Sequence, residues 1–271
     1  MKTSTRLAFA FSIVALVCAS CTYSEKNINV TTEEQPTLYQ ISTIQALTAG
    51  DYYPSCKVAE LLTHGNFGIG TFENVDGEMI VFDGVCYQAK ADGNVYVAGD
   101  DGNVAFASVA NYKSSNDFEI KDITSLDSLI TLLNTKVDET GKNFFYGCCI
   151  EGKFPKIDVR SVEAQKKPYI PLAEALKTSQ RNFSYENEEG YLIALYCPEF
   201  DKEVNVHGWH IHFLSKDKSK GGHLVDLEMT SATAGICKID NYEMALPNDS
   251  VFHDLQLDGL ANDVKAVEKG K

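Results

Sequence analysis

Short runs of apolar, β-prone residues at 69–72, 78–82, 85–89 and 95–98 are separated by Asp76-Gly77, Asp83-Gly84 and Asp92-Gly93. Asp-Gly between such runs signals a hairpin, because both residues tolerate positive φ. The pattern predicts a β-meander, with further strands at 39–47, 104–109 and 118–120. Residues 56–63 predict a short helix that stops at His64-Gly65. Ser125 or Thr124 caps a helix carrying Leu126, Leu129, Ile130, Leu132 and Leu133. In the second half, 144–150 and 190–197 read as continuously apolar, buried strands. Pro171 opens a helix through Leu172, Ala175 and Leu176, at a position where its missing N–H is not needed. Residues 236–245 complete a sheet, and the stretch from 249 onward reads as an amphipathic tail that docks through Leu260, Val264 and Val267. The expected fold class is α+β, mainly β: an N-terminal mixed or meander sheet region, a C-terminal sheet region and a docked tail.

One stretch departs from simple core patterning. In Gly208-Trp209-His210-Ile211-His212-Phe213-Leu214-Ser215, three large apolar residues alternate with two histidines. Side chains at i and i+2 share a strand face, so both imidazoles point the same way. A polar loop, 216–220, ends in Gly221-Gly222 and leads to His223. A turn centred between Asp217 and Lys218 places His223 opposite His212 on that face. Three imidazoles with no fourth protein ligand close in sequence suit a catalytic divalent metal with open coordination positions. Zinc is the first expectation, and iron or manganese fit the same donors. His207 lies outside the alternation, and His64 and His253 have no partner in sequence, so all three read as structural.

Composition narrows the partners. The chain has 271 residues and a formal net charge of −14, with no basic run interleaved with aromatics, which argues against nucleic acid. Lys2 and Arg6, an apolar run at 7–17 and Cys18-Ala19-Ser20-Cys21 have the order of an export signal. Cys21 after Ala19-Ser20 is similar to a lipobox, which leads to an expectation of an exported, envelope-attached lipoprotein, with simple secretion as the alternative. The domain division is then 1–21 signal, 22–36 flexible tether, 37–150 N-terminal β-rich domain and 151–271 C-terminal metal-binding domain with tail. Of the eight cysteines, six follow the signal, at 56, 86, 148, 149, 197 and 237. Their spacing matches no compact disulfide framework, and they read as small buried hydrophobes.

Several separated motifs carry a resemblance. His64-Gly65-Asn66-Phe67-Gly68-Ile69-Gly70-Thr71-Phe72, the Asp76-Gly77-Glu78 turn, Arg160-Ser161-Val162 with Gln165 and Lys167-Pro168-Tyr169, and the histidine hairpin with Gly221-Gly222-His223 resemble alpha-acetolactate decarboxylase, in order, from about residue 38 to 268. The resemblance implies a zinc-dependent homodimer that converts 2-acetolactate, a 2-hydroxy-3-oxo acid, to acetoin and CO2 through a metal-stabilised enediolate protonated by a glutamate. It places the metal ligands at His210, His212 and His223, the catalytic groups at Glu78, Arg160 and Glu268, and pocket-lining positions at Thr71, Val75 and Arg160. Asn66 and Glu163 stand where the pattern expects Asp and Pro. On residue type alone, Glu78 is a strand-end carboxylate and Arg160 a surface cation, so the resemblance alone assigns them roles. Either glutamate could be the proton donor. The competing readings are a cupin-like metal oxygenase and a non-catalytic zinc lipoprotein.

Overall fold

The computed structural model describes residues 35–114 and 116–257. The signal, nearly all of the tether, and Glu268 with most of the tail lie outside the described residues. Strand β1 (Thr37–Ile41) is followed by helix α1 (Ile44–Ala49), β2 (Cys56–Lys57) and α2 (Val58–Leu61). The meander comprises β3 (Phe67–Phe72), β4 (Glu78–Phe82), β5 (Val85–Ala89) and β6 (Val95–Val97), and β7 (Asn103–Ala110) then crosses back to pair with β3. Then come β8 (Asn116–Ile123), α3 (Leu126–Thr140), β9 (Phe145–Val162), α4 (Leu172–Ser179), β10 (Gln180–Cys197), β11 (Gly208–Ser215), β12 (Gly221–Ile239), β13 (Asn241–Ala245) and α5 (Ser250–Asp254).

The first sheet has the order β13-β1-β7-β3-β4-β5-β6, with β2 paired to β7. The second is β11-β10-β9-β12-β8, and β11 also pairs with β12, so four of its strands form a closed circuit. The fold is α+β and mainly β, as expected. The sheets do not follow residue 150: β9 runs through it, β8 joins the second sheet, and β13 returns to the first.

Local sequence explains the differences from the expected elements. The strand expected over 39–47 ends at Ile41. Ser42 has φ 66°, the Thr43 side chain accepts the Ala46 N–H, and Gly50 at φ 103° closes α1 with its N–H on Leu47 O. Thr43 and Gly50 are thus a helix cap and a left-handed stop around six residues, and they override the β-prone composition. In the helix expected over 56–63, Cys56 and Lys57 pair with Val104 and Asn103, leaving only 58–61 helical. Asp83 and Gly84 both take positive φ, 53° and 74°, whereas in the other two Asp-Gly turns only the glycine does. The strand expected over 144–150 runs on to Val162, because Phe154, Ile157 and Val159 are buried while Lys153 and Lys156 are exposed. Lys153 pairs with Glu189 at 3.0 Å and Lys156 with Asp158 at 2.8 Å.

The core is layered. Ser125 caps α3 in a reciprocal capping box with Ser128, and Leu129, Leu133 and Val137, spaced by four, face the second sheet. That layer takes in Trp209, Ile211 and Phe213, the apolar face of the histidine strand. Between the sheets lie Leu38, Phe67, Ile69 and Ile80 from the first and Ile193, Leu195, Leu214 and Ile239 from the second. The six described cysteines are free thiols, all buried or half-buried, and burial pushes Cys86 and Cys149 up to about 12. They pack as apolar groups.

Candidate metal centre and its pocket

Backbone register builds the site. His212 lies opposite His223 across β11 and β12, and His223 opposite Arg160 across β12 and β9. The first of these is the pairing expected from a turn centred at 217–218, with Lys218 at φ 63° making the reversal. From the first sheet, Glu78 faces Thr71 across β3 and β4. The sheets are tied at the site by the His212 Nδ1–H on Met79 O at 2.8 Å, the Ser161 hydroxyl on Ala89 O at 2.8 Å and the Gly77 N–H on Val162 O at 3.1 Å.

His210, His212 and His223 bring their ring nitrogens together in a group able to hold a metal. His210 Nε2 is 3.1 Å from His223 Nδ1 and 3.2 Å from His212 Nε2. Tetrahedral zinc with bonds near 2.0–2.1 Å would set its nitrogens about 3.3–3.4 Å apart, so the spacing fits. Because the Met79 carbonyl can only accept, His212 carries its proton on Nδ1 and presents the lone pair of Nε2 to the cluster. Burial, then the Arg160 charge, lowers His210 to about 3, and burial also holds His212 well below the usual histidine range. Neutral imidazole is the ligating form, so the donor set suits a divalent ion.

Arg160 is only 3% exposed, and the surface cation suggested by residue type is instead buried beside the imidazoles. Its Nη1–H donates to Gln180 Oε1 at 3.3 Å, and its buried Nε–H has no hydrogen-bond partner among the described residues. A desolvated guanidinium with an unused donor is a demand for an anion. Glu78 is 9% exposed, with Oε2 3.5 Å from His212 Nε2. Thr71 and Val75 reach the same cavity, of about 40 Å3, together with Glu78, Arg160, His210 and His223. A larger cavity of about 320 Å3, lined by Phe67, Phe82, Tyr112 and Tyr191, contains none of these groups.

The backbone that supports the cavity carried no signal of its role in the sequence. Asn74 and Val75 take left-handed φ of 67° and 54°, a costly conformation for a β-branched residue. It is held by the Asn74 N–H on Tyr52 O at 2.9 Å, the Gln165 N–H on Asn74 O at 2.8 Å and the Tyr169 hydroxyl on Asn74 Oδ1. Gln165 and Tyr169 were visible as motif residues, but their role here was not. Gln180 gave no signal in the sequence. The three histidines expected to be structural lie outside the cluster. His64 stacks on Tyr39 at 3.6 Å, His207 Nε2 lies 3.0 Å from Glu199, and His253 is exposed beside Asp254. Asn66 accepts the Tyr112 N–H at 2.8 Å, away from the centre, and Glu163 pairs with Arg181 at 2.8 Å.

A three-imidazole group able to hold a metal, on a β-hairpin and backed by a buried arginine and a carboxylate from the other sheet, defines a mainly-β protein with a candidate metal centre. Comparison with known proteins makes the class specific. The family model for alpha-acetolactate decarboxylase matches residues 38–259. The Methanosarcina mazei alpha-acetolactate decarboxylase is 39% identical over 86% of this chain and 80% of its own, and the Bacillus subtilis enzyme is 32% identical over 90% and 97%. The crystal structure of the B. subtilis enzyme superposes with a TM-score of 0.82 at 32% identity, covering 86% of this chain and 99% of that one. A Staphylococcus aureus protein described as similar to alpha-acetolactate decarboxylase gives 0.80 at 28% identity, over 87% and 100%. The chain therefore belongs to the alpha-acetolactate decarboxylase family and is a carboxy-lyase.

Proposed function

We propose that the protein uses zinc, held by His210, His212 and His223, to decarboxylate 2-acetolactate to acetoin and CO2. The observation that carries this reading is the buried, under-partnered Arg160 guanidinium directly across the strand pair from a metal-binding histidine. When bound, the ion supplies Lewis acidity to the substrate oxygens next to the bond that breaks. Arg160 pairs with the substrate carboxylate through its planar donor fork and sets its orientation. As the carbon–carboxylate bond breaks, CO2 leaves and the electron pair stays with the remaining carbon skeleton, delocalised onto the adjacent ketone oxygen. A carboxyl group then delivers one proton to that carbon. Glu78, buried beside the histidine cluster, is the first candidate for this step, and Glu268 is the second by the family resemblance. Packing of the sheets around the centre limits water at the reacting carbon.

The homodimer rests on the family resemblance. Export, with lipid attachment at Cys21, rests on the signal-like order of residues 1–21.

The test is acetoin formation from racemic acetolactate by protein lacking residues 1–21, with metal content measured on the same sample. Stereospecific acetoin that disappears on chelation and returns with zinc supports the reading. Stoichiometric zinc with no turnover sinks it and leaves a zinc-binding module. Turnover by protein lacking residues 264–271 would assign the proton to Glu78, and its loss with retained zinc would assign a role to Glu268.

A further inference from the structure

The cavity is lined by both polar and apolar side chains. Thr71, Glu78, Arg160, His210 and His223 all stand on strands and form its polar side. Its apolar lining includes Leu47 of α1, Leu172 and Leu176 of α4, and Phe106 and Val162 of β7 and β9. The two helices touch each other. The junction is fixed by the Tyr52 hydroxyl on Ile170 O at 2.8 Å and by Gly50, where an added Cβ would lie 3.1 Å from Ile170 O.

We propose that Leu47 and Leu176, on facing helices, set the size of the alkyl group the site accepts on its 2-hydroxy-3-oxo acid. This rests on the decarboxylase reading and deepens it. All such acids share a carboxylate, a hydroxyl and a ketone, which the strand-borne polar groups and the metal address identically. Only the alkyl substituents differ between members of the class, and within the apolar lining Phe106 and Val162 stand on paired strands whereas Leu47 and Leu176 stand on helices that carry none of the polar groups. A cavity of about 40 Å3 in a close-packed surrounding leaves little slack for added carbon. The arrangement separates tasks: the helix wall can change without moving a metal ligand or the arginine. Leu176 is the better lever because it is half-buried, whereas Leu172 is a 4% exposed core residue.

The experiment compares kcat/KM for acetolactate and for its homologue with ethyl in place of the C2 methyl, on zinc-loaded wild type, Leu176→Ala, Leu176→Phe and Leu47→Ala. The ratio of the two values cancels any loss of folded fraction, so partial unfolding does not obscure the result. One methylene in an apolar pocket is worth roughly tenfold or more in discrimination. Leu176→Ala and Leu47→Ala should raise the ethyl-to-methyl ratio by about that factor, and Leu176→Phe should lower it below wild type. A ratio within about twofold of wild type in all three variants overturns the wall. Wild-type protein that turns over neither substrate overturns the decarboxylase reading instead, so the two failures are distinct.

Discussion

If the three imidazoles hold zinc, the ion contributes stability as well as chemistry, and His212→Ala measures both. His212 is fully buried, and its Nδ1–H donates to Met79 O at 2.8 Å. Alanine removes one of three ligands and takes away the donor for a buried carbonyl, which costs about 1–3 kcal/mol without any metal. A ligand at 100 to 1,000 times its Kd adds about 2.7 to 4.1 kcal/mol to the native state. At roughly 2–4 °C per kcal/mol for a chain of this size, zinc should raise the wild-type Tm by roughly 5–15 °C over the chelated protein. Thermal unfolding with zinc and with chelator, on wild type and variant, reads both terms. The variant should melt below chelated wild type and gain no more than about 2 °C from zinc at the same excess. His64→Ala is the control: it loses the stack on Tyr39 but keeps the full zinc response. A His212→Ala protein that shifts with zinc as far as wild type, or copurifies with one zinc per chain, refutes this ligand set.

Arg160→Lys keeps the charge but loses the planar fork, and one charge-assisted hydrogen bond is worth about 1.5–3 kcal/mol, so kcat/KM should fall roughly 10–100-fold. Zinc per chain should be unchanged, and zinc loss would make Arg160 a structural support instead. Burial pushes Asp201 up to about 7 from 3.8, so between those values the native state holds a proton that the unfolded chain has released, and stability falls as pH rises through the window. Asp201→Asn should therefore raise the urea midpoint relative to wild type above pH 7 and lose that advantage below about pH 4; an equal effect at both pH values counts against the burial argument. Ile193→Ala and Leu133→Ala both remove fully buried side chains and should each cost about 2–5 kcal/mol. Only Ile193, in the layer between the sheets and paired in register with His212, should lower kcat per folded molecule; equal losses would show that the site does not depend on how the sheets meet.

What could be read in the sequence was set by range. The histidine hairpin was legible down to the His212–His223 pair, because strand alternation and a polar turn are local and determine register between neighbours. The meander and α3 were legible for the same reason. The long strands β9, β10 and β12 were only partly visible. Their outer halves alternate Lys and Glu with apolar residues, and cross-strand charge pairs such as Lys153–Glu189 at 3.0 Å satisfy positions that in isolation look like loop. The strand expected at 39–47 shows the opposite failure: a cap and a glycine outweigh β propensity over a few residues. Glu78 and Arg160 had no local signal at all. Their burial is created by the other sheet and by β12, 145 and 63 positions away at His223, and only ordered motifs pointed to them.

The site exists only where the two sheets meet. His210, His212, His223 and Arg160 belong to the second sheet, and Glu78 and Thr71 to the first. The 3.5 Å approach of Glu78 to His212 therefore crosses the interface, as do the bonds from His212 to Met79, Ser161 to Ala89 and Gly77 to Val162. Each of these three bonds has a partner at or next in sequence to a site residue, His212 itself with Met79 beside Glu78, Ser161 beside Arg160 and Gly77 beside Glu78, so they position the site as well as holding the sheets together. Left-handed Asn74 and Val75 fit the same logic. Three bonds hold Asn74 in a conformation that costs free energy, and its neighbour Val75 is turned into the cavity. A relaxed turn there would release Val75 and the start of β4, and with them Glu78. Strands paired in fixed register hold the polar groups of the site in place, while Leu47 and Leu176 reach the same cavity from helices that carry none of those groups.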